Sequence, residues 1–477
     1  MIWYIILSII VLWLFIIIFR ALRFVPKEEQ DVEVTNVSPN AEIAVANLSK
    51  MIACKTISNT DREKIDVAEF EKFKELIIKQ YPKINEACER IELGYTGILY
   101  RWKGKNTGNE TVLMSHYDVV PVNEELWSKA PFEGIIEDGT IWGRGTIDTK
   151  STLCAIMEAA EYLINQGYVP ENDIYFSFSG DEEVSGDSTP NIVEYLRSNG
   201  IKPAIVVDEG GAVVDDVFPG VSRTCAMVGL GEKGYLDLEL SATGSGGHSS
   251  TPPPNTLIGI LAKAAVRIEK KQFKAQLSEP VKELFNTLGR HSSLGLKIIF
   301  ANLWCFMPLL DFLFKRKGGQ LNALIRTTCA ITKAQGSKSY NVLPPYASLG
   351  VNLRLMQPDT KESAISYIKK VINDDRISIK TVECTEPSPC SDTKSKEWNK
   401  LCNVIKQTWQ GVLISPYLML GATDSRHFCK ICDNVYRFSP MKLTNEEIGL
   451  MHSNDERIKV ETLMEAIAFY IRLMLQC

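Results

Sequence analysis

Histidine and carboxylate side chains follow several apolar, strand-like runs of this sequence. The segments are His116-Tyr117-Asp118, Gly143-Arg144-Gly145-Thr146-Ile147-Asp148, Asp181-Glu182-Glu183 and Asp208-Glu209. Ligands of open α/β sheets bind at the carboxyl ends of the strands, so we expect these segments to converge on one site. A histidine combined with several carboxylates is a ligand set for zinc or a related divalent cation. The pattern therefore predicts a two-metal hydrolase.

The first pair, His116 and Asp118, stands two residues apart in an extended segment, so both side chains leave the same face. We expect His116 to bind metal while Asp118 accepts a hydrogen bond from the other ring nitrogen. Asp148 follows a Gly-x-Gly turn that leaves its carboxylate free to bridge two ions. Taken alone, the first motif equally fits a surface pair, and the second an ordinary turn.

Three consecutive acids, Asp181, Glu182 and Glu183, repel one another unless cations are nearby. Adjacent residues at a strand end point in different directions, so Glu183 can bind metal while Glu182 faces the attacking water. In that position Glu182 would accept the proton of the water and deliver it to the departing amine. The alternative interpretation is a solvated acidic turn.

Two further positions complete the candidate ligand set. Either acid of Asp208-Glu209 could bind the second ion; we favour Glu209, with Asp208 as the alternative. His452 follows the strand-like run 434–438 and precedes the last helical pattern, so it is the histidine that balances His116.

The elements that must position these residues alternate between strand and helix periodicity from Ala41 to about Gly220, as in βαβ units. A helical pattern over 150–166 places Asp148 at its amino end. Near residue 229 the pattern changes to an α+β unit with strands expected at 324–332 and 347–355. We predict an α/β catalytic domain of residues 41–228 and 385–477, interrupted by an inserted α+β domain of residues 229–384.

The amino terminus is strongly apolar, since residues 1–19 carry no charged side chain. Such a helix just spans a bilayer core of about 30 Å. The alternative is a signal peptide, but the basic start and the small-residue cleavage site of a signal peptide are missing. We therefore predict a retained single-pass membrane anchor at residues 1–20 and a stalk at residues 21–40.

The orientation of this anchor is open to two arguments. Positive charges that follow the span favour a cytoplasmic body, whereas Asn-x-Ser/Thr sequons favour a lumenal or extracellular one. The charges are Arg20, Arg23 and Lys27, and the sequons begin at Asn36, Asn47 and Asn109. We expect a lumenal or extracellular catalytic domain.

Composition narrows the function further. A net charge of −5 without a long basic tract argues against nucleic-acid binding. The twelve cysteines lack the spacing of a disulfide framework. The apolar stretch 294–314 contains Lys297, Pro308 and Asp311, so it predicts a buried or lipid-facing helix pair beside the substrate rather than a second span.

Taken in order, the motifs resemble those of the co-catalytic zinc aminoacylase/carboxypeptidase family over roughly residues 45–475. They are His-x-Asp, Gly-Arg-Gly-x-x-Asp, Asp-Glu-Glu, Asp-Glu-Gly-Gly, Gly-His-Ser-Ser and a late His. The sequences Asp-Glu-Glu-Val-Ser-Gly, Ile-Arg-Thr-Thr and Thr-Asp-Ser-Arg resemble the branch of carboxypeptidase S and the N-fatty-acyl-amino-acid hydrolases. The resemblance implies a zinc-peptidase-like mixed sheet flanked by helices, with the insert as a lid and dimerisation domain and a possible homodimer.

The resemblance also implies two Zn²⁺ ions per subunit and a role for each residue. The implied ligands are His116, Asp148 and Glu209 for one ion, and Asp148, Glu183 and His452 for the other. Glu182 would be the general base and Asp118 would support His116. His248 would contact the scissile carbonyl, in some relatives across a dimer interface. Arg354 would bind the free carboxylate of the substrate, and Asn341 is a weaker candidate contact.

One residue departs from the family pattern. Many relatives have Asp-Asp-Lys where this chain has Asp148-Thr149-Lys150. Thr149 keeps a hydrogen-bonding oxygen but loses a charge close to the metals, which could lower metal affinity or rate.

We expect a membrane-anchored metallohydrolase that cleaves an amide bond next to a free carboxylate. The substrate would be either a small peptide, cleaved at its C-terminal bond, or an N-acyl amino acid, whose cleavage could be reversible. The anchor and the apolar stretch favour a lipidic acyl group. A catalytically inactive binding or scaffold homologue is the alternative, and the intact ligands and Glu182 argue against it.

Overall fold

The computed structural model describes residues 1–27, 32–218 and 220–477. The α-helices in this part of the chain are α1 (Ile2–Leu22), α2 (Ala41–Ile52), α3 (Val67–Gln80), α4 (Pro82–Ala87), α5 (Lys150–Asn165), α6 (Ser188–Ser198), α7 (Leu257–Lys270), α8 (Glu279–Arg290), α9 (Leu294–Phe300), α10 (Leu303–Lys317), α11 (Gly319–Leu324), α12 (Lys361–Ile372), α13 (Lys396–Thr408), α14 (Asn445–Ile448) and α15 (Val460–Met474).

The strands in the same part of the chain are β1 (Cys88–Leu93), β2 (Gly97–Trp102), β3 (Asn106–His116), β4 (Ile135–Glu137), β5 (Thr140–Trp142), β6 (Asn172–Ser179), β7 (Ile205–Val214), β8 (Cys225–Glu232), β9 (Gly234–Thr243), β10 (Gly247–His248), β11 (Thr328–Gln335), β12 (Val342–Leu343), β13 (Tyr346–Leu355), β14 (Ser378–Thr385), β15 (Leu413–Met419), β16 (Val435–Leu443) and β17 (Arg457–Lys459).

The large sheet is built from strands on both sides of the insertion. Among the described residues its eight strands follow the order β1-β2-β6-β3-β7-β16-β8-β15. β3, β6, β7 and β16 run parallel at its centre. The apolar runs of β3 and β6 are buried on both faces, as parallel strands covered by helices require. Helices α5 and α15 pack together against this core, which makes both halves of the chain necessary to it.

A smaller antiparallel sheet, β11-β13-β9-β14, lies within the insertion. Buried and partly buried residues alternate along β9, the pattern of a strand with one face on a core. That face packs on α7 and α12, through Leu238, Ile260 and Ile368 among others. The predicted α/β class with an inserted α+β unit is confirmed. The domain boundaries at 228/229 and 384/385 stay a prediction.

One expectation about the insertion needs correction. The strand expected at 324–332 begins only at Thr328, because Leu324 ends α11 and packs, with Ile325, in an apolar cluster. That cluster joins α8–α11 to β15 of the large sheet through Phe285, Leu413 and Leu418. A short apolar run fits a buried helix as well as a strand, and here the tertiary contacts decide between them.

The apolar amino terminus forms α1, which is long and apolar enough to cross a membrane. Its length and composition are compatible with a single-pass anchor or with a signal peptide. Residues 28–31 of the predicted stalk lie outside the described residues. The rest of the stalk leads to Asn40, whose side chain accepts a hydrogen bond from the Ile43 N–H at the start of α2.

Candidate active site

The parallel register of the large sheet brings His116-Tyr117-Asp118 and Asp181-Glu182-Glu183 together. β3 ends at His116, which lies opposite Ser179, the last residue of β6. Asp181, Glu182 and Glu183 follow directly, the last two in a single 3₁₀ turn. β7, which carries Asp208-Glu209, pairs with β3 on the side opposite to β6. The strand-end geometry expected for an open α/β sheet is therefore present.

The sequence pattern had indicated that a strand ends at the acidic pair Asp208-Glu209, but β7 does not end there. β7 continues through Asp208-Glu209 to Val214, and its register against β16 shifts between Arg437 and Phe438. This irregularity redirects successive side chains. Gly210 permits it, because its φ is +142° and a Cβ atom there would lie 2.6 Å from the Cβ of Arg437.

The bulge separates the two acids that the sequence left as alternatives. Glu209 Oε1 lies 3.4 Å from His116 Nε2. Asp208 is buried elsewhere, and its Oδ2 accepts a hydrogen bond from the Ser425 N–H at 3.1 Å. The geometry thus places Glu209, and not Asp208, beside the histidine.

Asp148 lies between the two histidines. Its Oδ1 is 2.8 Å from His116 Nε2 and its Oδ2 is 2.9 Å from His452 Nε2. His452 Nε2 is also 3.2 Å from Glu183 Oε1. The polar atoms thus fall into two overlapping groups, His116-Asp148-Glu209 and Asp148-Glu183-His452, that share one carboxylate. Side-chain atoms of His116, Asp148 and Glu183 also lie close enough together to hold one metal ion, and so do those of His116, Glu182 and Glu209.

The backbone around these residues is unusual at two points. The Asp148–Thr149 peptide bond is cis. His452 adopts a left-handed conformation with φ of +60°, which non-glycine residues seldom adopt outside constrained sites.

Asp118 is fully buried and connects the histidine to the acidic turn. One of its carboxylate oxygens lies 3.2 Å from His116 Nδ1, and its backbone carbonyl lies 3.0 Å from the same nitrogen. The two carboxylate oxygens also accept hydrogen bonds from the backbone N–H groups of Glu182 and Glu183, at 3.2 and 3.1 Å. Asp118 therefore orients three site residues at once.

The electrostatics of the cluster are those expected of crowded acids. Burial, and then the carboxylates of Asp424, Asp118 and Asp148, raise the pKa of Glu182 well above its usual value, against the opposing effect of His116. Burial likewise raises the pKa of Glu209. Hydrogen bonds that His452 donates to the carboxylates of Asp148 and Glu183 raise the pKa of His452 to about 10. Bound cations would relieve this repulsion, so the donor set fits a divalent metal pair.

Glu456 is a site residue that the sequence reasoning missed. It is fully buried, and its Oε1 accepts hydrogen bonds from the N–H groups of Ile147 and Asp148, at 2.7 and 3.1 Å. Its Oε2 pairs with Arg144 at 2.5 Å, and Arg144 also donates to the Ser453 carbonyl. This bridge ties the Asp148 turn to the His452 loop. The charged Arg144 between two glycines was the available signal.

Two further side chains change the earlier picture of the site. Thr149 is buried and donates to Thr152 Oγ1 at 2.8 Å, so its hydroxyl serves the first turn of α5. Asp424, in the Thr-Asp-Ser-Arg motif, is buried and accepts hydrogen bonds from Ser179 and Thr189. Asp424 thus supports the loop behind Glu182.

The three predicted substrate contacts lie on the insertion, away from the carboxylate cluster. His248 is exposed on β10, opposite Val342 of β12, and the Asn341 carbonyl accepts a hydrogen bond from the Ser249 N–H. Arg354 lies on β13, with its guanidinium 5.0 Å from the ring centre of Tyr235. None of the three lines the cavity described next, within the described part of the chain.

A cavity of about 570 Å³ opens beside the metal-ligand candidates. Asp148, Glu182, Glu209 and His452 form its polar end. Aliphatic, methionine and aromatic side chains form much of the rest, including Val217, Phe218, Met227, Leu284, Leu288, Leu321, Leu324, Met441 and Ile448. The volume lies within the roughly 300–1,000 Å³ of small-molecule sites. The expected apolar wall therefore exists, but the insertion contributes to it through α8 and α11, on either side of the 294–314 stretch.

Comparison with known proteins agrees with this geometry. Residues 112–476 match the model of peptidase family M20/M25/M40. The chain is 36% identical to Probable carboxypeptidase S-like 2 of Dictyostelium discoideum, over 97% of this chain and 91% of the relative. It is 34% identical to the human N-fatty-acyl-amino acid synthase/hydrolase PM20D1, over 76% of this chain and 73% of the relative. Carboxypeptidase S of Saccharomyces cerevisiae is 30% identical, over 82% and 76%.

Solved structures share the fold at low sequence identity. The M20 family metallo-carboxypeptidase Sso-CP2 of Sulfolobus solfataricus superimposes with a TM-score of 0.65 and 18% identity, over 91% of this chain and 98% of that chain. The Bacillus subtilis YXEP protein, described as a dinuclear metal binding peptidase, gives a TM-score of 0.56 and 12% identity, over 92% and 99%. With a family match that spans both halves of the large sheet, this chain belongs to the M20/M25/M40 peptidases and is a metal-dependent hydrolase related to carboxypeptidase S and the N-fatty-acyl-amino acid synthase/hydrolases.

Proposed function

We propose that this protein is a membrane-anchored, two-zinc hydrolase of N-acyl amino acids that carry a long apolar acyl chain. The observation that carries the proposal is the cavity, in which a largely apolar wall leads to the carboxylate and histidine cluster. An acyl chain would occupy the apolar part, and its amide would lie beside Glu182. The reaction adds water to the amide carbonyl and breaks the C–N bond, which gives a fatty acid and a free amino acid. The reverse reaction would be the synthesis.

The proposed metal sites follow the two overlapping groups of contacts. His116, Asp148 and Glu209 would hold one ion, and Asp148, Glu183 and His452 would hold the other. Bound metals would polarise the carbonyl and lower the pKa of the attacking water. Asp118 would keep His116 in the tautomer that leaves Nε2 free, because Nδ1 faces its oxygens.

Glu182 is proposed as the proton carrier. It lines the polar end of the cavity, and its backbone is held by Asp118. A carboxylate at this point can accept the proton of the water and transfer it to the amide nitrogen as the C–N bond breaks. The pKa of Glu182, raised by burial and by neighbouring carboxylates, suits it to hold that proton between the two transfers.

Contacts to the substrate carboxylate are proposed from the insertion. Arg354 would pair with the carboxylate in bidentate fashion, and His248 and Asn341 would contact the scissile amide. Since these residues lie in the insertion and do not line the cavity, they would reach the substrate by closure of the insertion or from a second subunit. The homodimer and these three roles stay predictions.

A lumenal or extracellular body is proposed from the sequons. Asn36 and Asn109 are exposed, so both could carry a glycan. Asn47 is buried, and its side chain donates a hydrogen bond to Glu158 at 2.7 Å, so this sequon is no argument for a glycan or for a lumenal body.

The adjacent acids of β7 provide a matched test of the metal ligands. We expect Glu209→Gln to lower bound zinc by about one ion per chain and to reduce turnover at least about 100-fold, because a ligand charge beside His116 is lost. Asp208→Asn should keep both ions, since its carboxylate faces the Ser425 N–H. Zinc counted by mass spectrometry in both variants checks this, and zinc loss confined to Asp208→Asn would reverse the assignment.

The acyl-chain proposal is tested by a series of N-acyl phenylalanines of increasing chain length. Each buried CH₂ contributes about 0.8 kcal/mol, so kcat/KM should rise about fourfold per CH₂ until the cavity is filled. Leu321→Trp places a larger side chain at a partly buried position of the wall and so narrows the cavity. The acyl-chain length with the highest kcat/KM should therefore become shorter. Val382→Trp, exposed on β14, is the control and should leave the profile unchanged.

A carboxypeptidase activity is the second candidate, favoured by the 36% identity to a carboxypeptidase S-like protein over nearly the whole chain. Under that alternative, dipeptides with a free carboxylate would be hydrolysed faster than every N-acyl amino acid of the series. The rate of dipeptide hydrolysis would also be unchanged by Leu321→Trp.

A further inference from the structure

The helix pair α9–α10 carries an apolar surface that faces away from the protein. Its exposed side chains are Leu294, Trp304, Leu309, Phe312 and Leu313. Those of α10 recur at helical spacing, whereas Leu310 and Phe314 of the same helix are buried in the protein. Exposed apolar side chains grouped on one side of a helix mark an interaction site.

The carboxyl-terminal part of α1 packs against the helix pair. Arg20 donates two hydrogen bonds, at 3.1 and 2.9 Å, to the Ala301 carbonyl between α9 and α10. The side chain of the buried Asn302 donates to the Ile17 carbonyl at 3.1 Å. Ile17 and Ala21 are the buried residues of α1, whose remaining side chains are exposed. If α1 spans a bilayer, these contacts hold α9–α10 at the bilayer surface.

Charge at the ends of the pair fits the same location. Lys315, Arg316 and Lys317 are exposed in the last turn of α10, and Arg23 is exposed at the end of α1. Basic side chains next to an apolar helix face are suited to lipid headgroups, while the apolar face enters the acyl boundary. α9 and α10 meet at an angle of 107°, a bent pair rather than a straight span.

The same helices reach the cavity from behind. Phe300 of α9 packs against Phe218, a cavity residue, with ring centres 5.3 Å apart. It also stacks at 5.1 Å on Phe285 of α8, the helix that provides Leu284 and Leu288 to the cavity. α11, which provides Leu321 and Leu324, follows α10 after Gly318 alone. The membrane-facing helices and the cavity wall are thus one packed unit.

We propose that α9–α10 docks in the bilayer interface beside α1, so that lipidic substrates pass from the membrane into the cavity between α8 and α11. This inference rests on the proposed N-acyl hydrolase function for its substrate, and on a membrane-embedded α1 for its location. The occupant of the surface is a lipid bilayer, whose headgroup phosphates the basic side chains would contact.

Photo-crosslinking of the full-length chain tests the location without any assay of activity. Benzoylphenylalanine would replace Trp304 or Phe312, in protein reconstituted into phosphatidylcholine–phosphatidylserine vesicles. Phe15 of α1 is the positive control, and the fully exposed Tyr340 is the negative control. We expect lipid adducts at Phe15, Trp304 and Phe312 and none at Tyr340. Adducts at Phe15 without adducts at Trp304 and Phe312 would overturn the inference, as would the absence of lipid adducts at all four positions.

The route of the substrate is tested with the double substitution Trp304→Glu/Phe312→Glu. Charges in the acyl boundary oppose docking, so hydrolysis of a long-chain N-acyl amino acid presented in vesicles should fall about tenfold or more. Hydrolysis of a water-soluble N-acetyl amino acid should stay unchanged, because neither residue lines the cavity. The matched control Ile78→Glu/Val382→Glu, at exposed sites elsewhere, should have no effect on either substrate. Equal rates for the double variant and the wild type in vesicles would contradict this route.

The two proposals fail in different ways. If wild-type protein hydrolyses neither substrate although both zinc ions are bound, the proposed function is wrong while the crosslinks still decide the location of α9–α10. If short substrates are hydrolysed normally and the crosslinks are missing, only the membrane inference is wrong.

Discussion

Glu182→Gln is expected to reduce kcat by about 10²–10⁴-fold, the usual contribution of a general acid–base residue. Glutamine keeps the size and the backbone contact to Asp118 but cannot accept and return a proton. Because Glu182 is proposed as proton carrier rather than ligand, the variant should retain both zinc ions. Steady-state kinetics with an N-acyl amino acid, together with zinc counted by mass spectrometry, measures both effects.

Asp181→Asn is the control for this substitution. Asp181 is the adjacent acid, but its carboxylate accepts hydrogen bonds from the N–H groups of Asp187 and Ser188 at the start of α6. Burial raises the pKa of Asp181 to about 6, so a neutral amide is tolerable there. We expect nearly normal turnover in this variant. A Glu182→Gln protein within tenfold of the wild-type rate would mean that another group carries the proton.

Asp148→Asn should have the second large effect, because the Asp148 carboxylate contacts both His116 and His452, at 2.8 and 2.9 Å. Removal of its charge weakens both proposed metal sites at once. We expect bound zinc to fall below one ion per chain. Metal ions contribute several kcal/mol of transition-state stabilisation, so turnover should fall at least about 10³-fold. Zinc content and kcat, measured on the same preparation, check the result.

Asp173→Asn separates loss of metal from general damage to a buried carboxylate. Asp173 is buried at the start of β6, the end of the strand opposite to the one that leads to Glu183, and it accepts hydrogen bonds from Arg101 and the Gly104 N–H. This variant should lose stability, visible as a lower Tm, but keep its zinc. Two ions retained by Asp148→Asn would contradict the bridging role.

The chemistry of the site is largely visible in the sequence. Metal ligands are restricted to a few residue types, and in parallel sheets they follow strands whose apolar runs are easily recognised. His116, Asp148, Glu183, Glu209 and His452 could therefore be selected from local patterns, and the structure brings all five together. The helix expected at 150–166 is α5, because its apolar spacing and Gly167 act locally.

Other features depend on contacts between residues far apart in the chain. Glu456 reaches the Asp148 turn from more than 300 residues away, and no local pattern announces that contact. The choice between Asp208 and Glu209 depends on a bulge against β16, a strand that follows the whole insertion. Register and bulges are set by partner strands, so a sequence read segment by segment does not contain them.

The apolar segments mark the same boundary between sequence and structure. An apolar run such as 294–314 is compatible with a protein core, a cavity wall or a lipid phase, because apolar side chains are favourable in all three environments. The sequence determined that this chain has a metal-dependent catalytic site on an α/β sheet, an inserted domain and strongly apolar helices. Only the tertiary structure decided that α8 and α11 line the cavity while α9–α10 packs beside α1, since that depends on which faces find partners when the chain folds.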